Sequence, residues 1–262
     1  MSTRGYMMNR FQMSDINKTA NIHFIGIGGI SMSGLAQIVL KDGYAVSGSD
    51  WNKSAITEKL ENMGADIVYG HGAVNEDGIN KASLVVYTAA AKADNPEIVL
   101  AKEKGIRLID RAEFLGAIMK NYKHAVGVSG THGKTTTSSM LAHLLKQSPV
   151  DCNAFLGGIL KNYESNLMLS DTSDFTVIEA DEFDRSFHWL TPYMAVITSA
   201  DPDHLDIYGT AEAYRESFEK FTSLIRPDGC LLIKKGINVT PRLQEGVKKY
   251  TYSVTGNSGL LR

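Results

Sequence analysis

Residues 127–137 place three glycines, a lysine and three consecutive threonines between a short apolar run and a helical pattern. A glycine-rich turn between a strand and a helix exposes backbone N–H groups at the helix N-terminus, where they suit a phosphate. Lys134 adds a positive charge for the terminal phosphates, and the Thr135 hydroxyl can reach a magnesium ion. The spacing departs from G-x-x-x-x-G-K-[ST], because Val128 stands five residues before Gly133. We predict a nucleotide phosphate site here, with Lys134 facing solvent; an ordinary glycine turn would leave the lysine and threonines unexplained.

Two acidic stretches follow later apolar runs. The first, "VIEADEFD", carries four acids over residues 179–184, and an acid at a strand end beside a phosphate loop can hold magnesium. Glu179 is the best candidate because it follows the strand residues immediately, whereas Asp184 is typical of a solvated turn. The second, "TSADPDHLDIYG", surrounds His204 with aspartates. Because these acids lie next to it, we interpret His204 as a metal ligand. Two acidic strand ends would suit two magnesium ions around a transferring phosphoryl group.

An earlier glycine turn, "GIGGISMSG" at residues 26–34, resembles a dinucleotide-binding loop but breaks its pattern. Ser31 occupies the third glycine position of G-x-G-x-x-G, while Asp50 lies 22 residues after Gly28, near where an acid contacting a ribose hydroxyl belongs. The residues leave open NAD(P), another nucleotide diphosphate, and a purely structural turn. His71, after "YG", is either a ligand contact or a strand-end residue.

Strands alternate with helices along the whole chain, and most strands are continuous apolar runs. This pattern favours parallel sheets covered by helices on both faces. After the phosphate loop, Met140, Leu141, Leu144 and Leu145 recur at helical spacing, and a further helix is predicted from Ala211 to about residue 225. We predict an α/β protein with a boundary near residues 121 and 122, which gives domains 1–120 and 121–262.

The bulk composition is that of an ordinary globular protein. The 262 residues are 43% apolar and 21% charged, and 27 basic against 29 acidic side chains give a net charge of −2. This balance argues against general affinity for nucleic acid or acidic membranes. The two cysteines lack metal spacing, the first 20 residues lack an apolar signal core, and no apolar run reaches the roughly 18 residues of a membrane span. We expect a soluble cytoplasmic protein without membrane insertion.

Five motifs together resemble, in order and spacing, the Mur ligases of peptidoglycan synthesis. They are "HFIGIGGISMSG", "VSGSD", "GTHGKTTT", "EADE" and "DHLDIYG", and the resemblance covers residues from about 20 to 255. It implies a Rossmann-like N-terminal domain that binds the UDP part of a sugar nucleotide, followed by a P-loop NTPase-like domain that binds ATP and Mg²⁺. The implied sugar-nucleotide contacts are Gly28, Gly29, Ser31, Met32 and Asp50, with weaker candidates at His71, Arg111 and residues 87–90. The implied ATP contacts are Gly130, Thr131, His132, Gly133, Lys134, Thr135 and Thr136. Lys134, Glu179 and His204 are the implied catalytic residues, and Thr135, Glu179 and His204 the implied magnesium ligands.

Within the family, the chain is most similar to members that add L-alanine to the lactyl carboxylate of UDP-N-acetylmuramate. Phe218 stands where members that add D-glutamate or diaminopimelate have a carbamylated lysine, and His132 also fits the alanine-adding type. Ser199 replaces a usual asparagine, which puts any nucleotide contact there in doubt. The implied reaction forms an acyl phosphate and ADP, and the amine of L-alanine then displaces phosphate.

The resemblance also implies a third, amino-acid-binding domain, and nothing after Lys235 looks like such a site. We therefore expect a truncated ligase with an incomplete central domain, inactive by itself. Three alternatives remain: a Mur-type ligase that attaches a preformed peptide, a non-catalytic nucleotide-sugar binding module, and an NAD(P)-dependent oxidoreductase. Ser31 and the second phosphate loop disfavour the last.

Overall fold

The computed structural model describes residues 10–253, and the chain divides into two compact units, Met1–Ile118 and Met119–Arg262. The elements of the first unit are β1 (Asn21–Ile25), α1 (Ile30–Lys41), β2 (Ala45–Asp50), α2 (Ala55–Asn62), β3 (Asp66–Tyr69), α3 (Glu76–Lys81), β4 (Ala82–Tyr87), α4 (Pro96–Glu103), β5 (Arg107–Asp110) and α5 (Arg111–Met119). A single 3-10 turn, Met13–Asp15, precedes them in the described part of this unit.

The first unit contains a five-stranded sheet in the order β3-β2-β1-β4-β5, and every pair of neighbours is parallel. The α/β class and the parallel sheet are therefore confirmed. The order reverses between β1 and β4, so the glycine turn after β1 lies at the switch point where ligands of such sheets bind. Phe24, Leu35 and Phe114 are fully buried in the core around this sheet.

A buried carboxylate ties β1, β2 and two helix starts together. Glu97, in the first turn of α4, is 1% exposed, and its Oε1 lies 3.3 Å from His23 Nε2. It also accepts hydrogen bonds from the Ser49 hydroxyl and, at 2.8 Å, from the backbone N–H of Asn75, the N-cap of α3. Burial raises the pKa of this carboxyl, but the bonds from His23, Ser49 and Asn75 outweigh it and leave the pKa below its ordinary 4.5.

The second unit contains β6 (His124–Ser129), α6 (Lys134–Lys146), β7 (Asn153–Leu160), β8 (Ser165–Met168), β9 (Phe175–Glu179), β10 (Met194–Ile197), α7 (Leu205–Tyr208), α8 (Ala211–Thr222), β11 (Cys230–Lys234) and β12 (Lys248–Tyr252). A 3-10 turn spans Ser186–Trp189. The seven strands run in the order β12-β11-β10-β6-β9-β7-β8, parallel except for the antiparallel pair β7 and β8. β6 thus has β9 on one side and β10 on the other.

α6 is the helix that the apolar spacing after the phosphate loop predicts, and its large apolar side chains divide between an exposed and a partly buried set. Met140 is 62% exposed and Leu144 is 65% exposed, while Ser138 and Ala142 are the buried residues. Leu141 and Leu145 pack partly buried against the core. The fully buried positions of α6 thus carry small side chains.

None of the helices found between residues 10 and 253 combines the length and apolar character needed to cross a membrane.

We predict that Glu97→Gln lowers the free energy of unfolding of the first unit by about 1–3 kcal/mol at pH 7. Folding lowers the pKa of Glu97 from its ordinary 4.5. The contribution of Glu97 to the free energy of unfolding is therefore complete above pH 4.5, and it disappears as the pH falls through the lower pKa of the folded state. The difference between the variant and the unaltered chain should therefore shrink towards pH 3. Urea unfolding, followed on amide signals of the first unit, measures this difference in the free energy of unfolding, and substitution of the exposed Glu58 by Gln is the control. An equal difference at pH 7 and pH 3 would contradict the stabilising role of ionised Glu97.

Candidate functional site

The loop between β6 and α6 has a backbone that only glycine accommodates at its first position. Gly130 has a φ of +139°, and a Cβ there would lie 2.3 Å from Thr198 Oγ1 and 2.8 Å from Ser199 N. Gly133, the N-cap of α6, has a φ of +87°. The loop therefore turns sharply against the end of β10 and presents the N-terminus of α6, as the sequence predicts.

Side chains following β10 hold the loop in this shape. Thr198 Oγ1 donates to the carbonyl oxygens of Ser129 (3.1 Å) and His132 (2.6 Å), and Ser199 Oγ accepts the His132 N–H at 2.7 Å. Thr131 Oγ1 donates to the Asp201 carbonyl at 2.8 Å. Ser199, where the resemblance has asparagine, thus supports the loop backbone within the protein.

Lys134 does not face solvent as expected, because it pairs with a buried carboxylate. Its Nζ lies 2.8 Å from Glu182 Oε1 and donates to the Gly130 carbonyl at 2.9 Å, and its side chain is 15% exposed. Glu182 is 0% exposed. Burial raises the pKa of Glu182, although Lys134 opposes the shift. The sequence gives no sign that Glu182, among four nearby acids, is the partner of the loop lysine.

Thr135 and Glu179 lie together beside the loop. Thr135 Oγ1 donates to Glu179 Oε1 at 2.9 Å, and the Gly157 N–H donates to Glu179 Oε2 at 3.0 Å. A Cβ at Gly157 would approach Glu179 Oε1 to 2.6 Å, so only glycine allows this contact without a shift. Hydroxyl and carboxylate oxygens suit Mg²⁺, which commonly takes its remaining ligands from phosphate and water. Gly157 is not among the predicted site residues, because strand β7 was not predicted from the sequence.

His204 lies in a different setting from Glu179. It caps the four-residue helix α7 with a φ of +53°, its Nε2 is 3.8 Å from Asp203 Oδ2, and its ring packs edge-on against Phe183. Within residues 10–253, no group of three or more His, Cys, Asp or Glu side chains is arranged to hold a metal ion. The metal role of His204 stays a prediction.

In the first unit, Asp50 reaches the glycine turn directly. Its Oδ2 accepts the Gly28 N–H at 2.7 Å, and a Cβ at Gly28 would lie 2.8 Å from the same oxygen. Gly29 is the N-cap of α1 and is exposed, and Ser31 is half-buried. Met32 is 2% exposed, so its side chain belongs to the core and only its backbone is placed to approach a ligand.

The other substrate candidates lie at the same carboxyl edge of the first sheet. His71 follows β3, and its ring centroid lies 4.7 Å from that of Trp51, which follows β2 and is 66% exposed. Arg111 follows β5 directly, at the start of α5, and is half-buried. Thr88, in the turn after β4, packs close to Gly26. Trp51 is not among the predicted site residues, and its exposure is visible only in the structure.

Comparison with known proteins identifies the family. Residues 21–123 match the Mur ligase family, catalytic domain, and residues 128–260 match the Mur ligase middle domain. The chain belongs to the Mur ligase family. The resemblance found in the five motifs is therefore confirmed, and the NAD(P)-dependent alternative loses its support.

Curated members of the Mur ligase family match the chain over most of its length. The chain is 69% identical over 244 residues to UDP-N-acetylmuramate--L-alanine ligase of Parabacteroides distasonis. The aligned region covers 92% of this chain and 53% of that protein. It is 55% identical over 238 residues to the ligase of the same name from Porphyromonas gingivalis, with 88% and 51% covered. The chain thus spans about half the length of the curated relatives it matches.

Solved structures of Mur ligases share the fold. The UDP-N-acetylmuramate-alanine ligase of Thermotoga maritima aligns with a TM-score of 0.74 and 32% identity, covering 90% of this chain and 53% of that one. A UDP-N-acetylmuramate:L-alanyl-gamma-D-glutamyl-meso-diaminopimelate ligase from Neisseria meningitides aligns with a TM-score of 0.76 and 28% identity, covering 89% and 78%.

We predict that Gly130→Ala destabilises the second unit by about 1–3 kcal/mol more than Gly209→Ala. Both glycines have positive φ, but a Cβ at Gly209 meets nothing within 4 Å, whereas one at Gly130 collides with Thr198 and Ser199. Thermal unfolding of the two variants separates the collision from backbone strain. Equal losses of stability would show that β10 does not constrain the loop.

Proposed function

We propose that this chain carries the nucleotide-binding parts of a cytoplasmic, ATP-dependent ligase that joins L-alanine to the lactyl carboxylate of UDP-N-acetylmuramate. Mur ligases use ATP. The observation that carries the proposal is the loop in which Lys134 and the Thr135–Glu179 pair flank a helix N-terminus, within a sequence 69% identical to an L-alanine ligase. Residues 1–120 would bind the sugar nucleotide, and residues 121–262 would bind ATP.

The loop residues would act by positioning and charge. An ammonium group has three donors, and Lys134 uses two of them on Gly130 and Glu182, which leaves one N–H for a phosphate oxygen. The backbone donors of residues 130–136 would hold the β- and γ-phosphates. Mg²⁺, held by Thr135 and Glu179, with His204 as a further candidate, would supply charge neutralisation when bound. The sugar-nucleotide carboxylate would attack the γ-phosphate, and the loop would stabilise the transferring phosphoryl group.

The relatives are about twice as long as this chain, so we assign the site for L-alanine to none of these 262 residues. In this proposal, the chain supplies the sugar-nucleotide turn at Gly28 and Gly29, and the ATP loop. Gly28, Gly29, Ser31 and the backbone of Met32 would approach the diphosphate. Asp50, His71 and Arg111 would contact the rest of the nucleotide sugar.

Attachment of a preformed peptide to the same sugar nucleotide is the second candidate function. The Neisseria structure named above has a TM-score of 0.76 with this chain, so the fold does not separate the two candidates. The identity of 28% with that protein against 69% with the Parabacteroides ligase favours L-alanine. Phe218, which is 0% exposed and packs edge-on against Phe187 and Tyr214, argues against addition of D-glutamate or diaminopimelate and does not separate these two candidates.

We expect Thr135→Val to weaken ATP binding by about tenfold or more when Mg²⁺ is present, because valine keeps the shape but removes the oxygen beside Glu179. Isothermal titration with and without EDTA measures the effect. Without Mg²⁺, the variant and the unaltered chain should bind ATP equally weakly. An unchanged affinity with Mg²⁺ would remove Thr135 from the metal site.

We expect UDP-N-acetylmuramate to bind the first unit without ATP, because the glycine turn and Asp50 form a separate site. In ¹H–¹⁵N NMR spectra of the whole chain, the sugar nucleotide should shift the signals of Gly28, Gly29 and Asp50. Mg-ATP added alone should instead shift signals of residues 130–136. Sugar-nucleotide shifts confined to the second unit would contradict the placement.

A further inference from the structure

We infer that Glu182 is a positioning residue that fixes the Lys134 ammonium over the phosphate loop. This inference rests on the proposed ATP site. Glu182 is separate from the candidate magnesium pair, Thr135 and Glu179, and it does not face solvent. Its carboxylate is nonetheless the one that the loop lysine contacts, at 2.8 Å.

The surroundings of Glu182 would make a carboxylate with a purely structural role destabilising. Its Oε1 accepts from Lys134 and lies 3.5 Å from the Tyr214 hydroxyl. Its Oε2 is buried and has no hydrogen-bond partner among residues 10–253. Burying a carboxylate with one oxygen unpaired is costly, and an apolar residue would often replace such a pair without loss of stability. The presence of this costly carboxylate next to Lys134 therefore favours a role at the loop.

Neighbouring tyrosines keep Glu182 in place. The Tyr208 hydroxyl donates to the backbone carbonyl of Glu182, and Ser217 lies within 3.3 Å of that hydroxyl. Tyr214, which is 0% exposed, places its hydroxyl near Glu182 and 2.9 Å from Thr131 Oγ1. Helix α8 thus supports both the carboxylate and the beginning of the phosphate loop. A carboxylate held in this way is a fixed anchor for the lysine.

The charge of Glu182 and its position make opposite contributions to ATP binding. A carboxylate beside the loop repels phosphates, so removing its charge should tighten ATP binding if charge were its only contribution. A fixed ammonium presents one N–H to a phosphate at no ordering cost, so loosening it should weaken binding. If positioning dominates, neutralising Glu182 reduces affinity although it makes the loop more positive.

The experiment measures Mg-ATP affinity by isothermal titration of the whole 262-residue chain. Glu182→Gln should weaken binding by about tenfold, since a neutral amide holds the ammonium less firmly. Glu182→Asp, which keeps the charge but withdraws it by one methylene, should weaken it as well. The control Asp184→Asn removes a nearby exposed charge and should change affinity by less than about twofold.

A Lys134→Met background distinguishes positioning from general damage to the fold. If Glu182 acts through Lys134, adding Glu182→Gln to that background should change ATP affinity no further, whereas a structural defect would lower it again. The paired substitution also removes both charges together, which protects folding if Glu182→Gln alone is unstable. If both Glu182→Gln and Glu182→Asp bind Mg-ATP with unchanged or higher affinity, this inference is overturned and the proposed ATP site is not. Absence of saturable binding by the unaltered chain overturns the proposed ATP site and the inference with it.

Discussion

The constraint on which both candidate sites depend is that parallel strands end at the same edge of a sheet. In the second unit, β6 lies between β9 and β10, so the loop after Ser129 meets Glu179 on one side and Thr198 on the other. In the first unit, β1 lies between β2 and β4, which brings Asp50 and Thr88 to the glycine turn. Residues 22 to 70 positions apart become neighbours because strand order fixes the edge.

Glu97 in the first unit and Glu182 in the second are at most 1% exposed, and the two carboxylates differ in what surrounds them. Glu97 accepts from Ser49 and Asn75 and pairs with His23, and these partners hold its pKa below the ordinary value despite burial. Glu182 has Lys134 as its one close partner and an unpaired oxygen, and burial raises its pKa. A fully bonded carboxylate stabilises the fold around it. A partly bonded one costs stability, which is consistent with the positioning role proposed for Glu182.

The sequence predicted the features that depend on local pattern. The two glycine turns, the alternating strands and helices and the sheet class follow from residues within a few positions of one another. It did not predict the pairing of Lys134 with Glu182, because nothing local separates Glu182 from Asp181 or Glu179. It also missed β7 and β8, since "NAFLGGIL" contains adjacent glycines that weaken a strand pattern. One of these, Gly157, approaches Glu179 because it has no side chain.

The two glycine turns use the same backbone device with different electrostatics. At the first, Asp50 already accepts the Gly28 N–H, so the proposed diphosphate would meet an acidic side chain and one fewer donor. At the second, one basic side chain, Lys134, lies among two acidic ones, Glu179 and Glu182. In the proposed site, the backbone donors and the remaining N–H of Lys134 would then hold a polyanion beside an excess of acidic side chains. A divalent cation between Thr135 and Glu179 would reverse that excess of negative charge. For the proposed ATP site, the internal charges of the loop would therefore make the affinity for a nucleotide triphosphate depend on the metal.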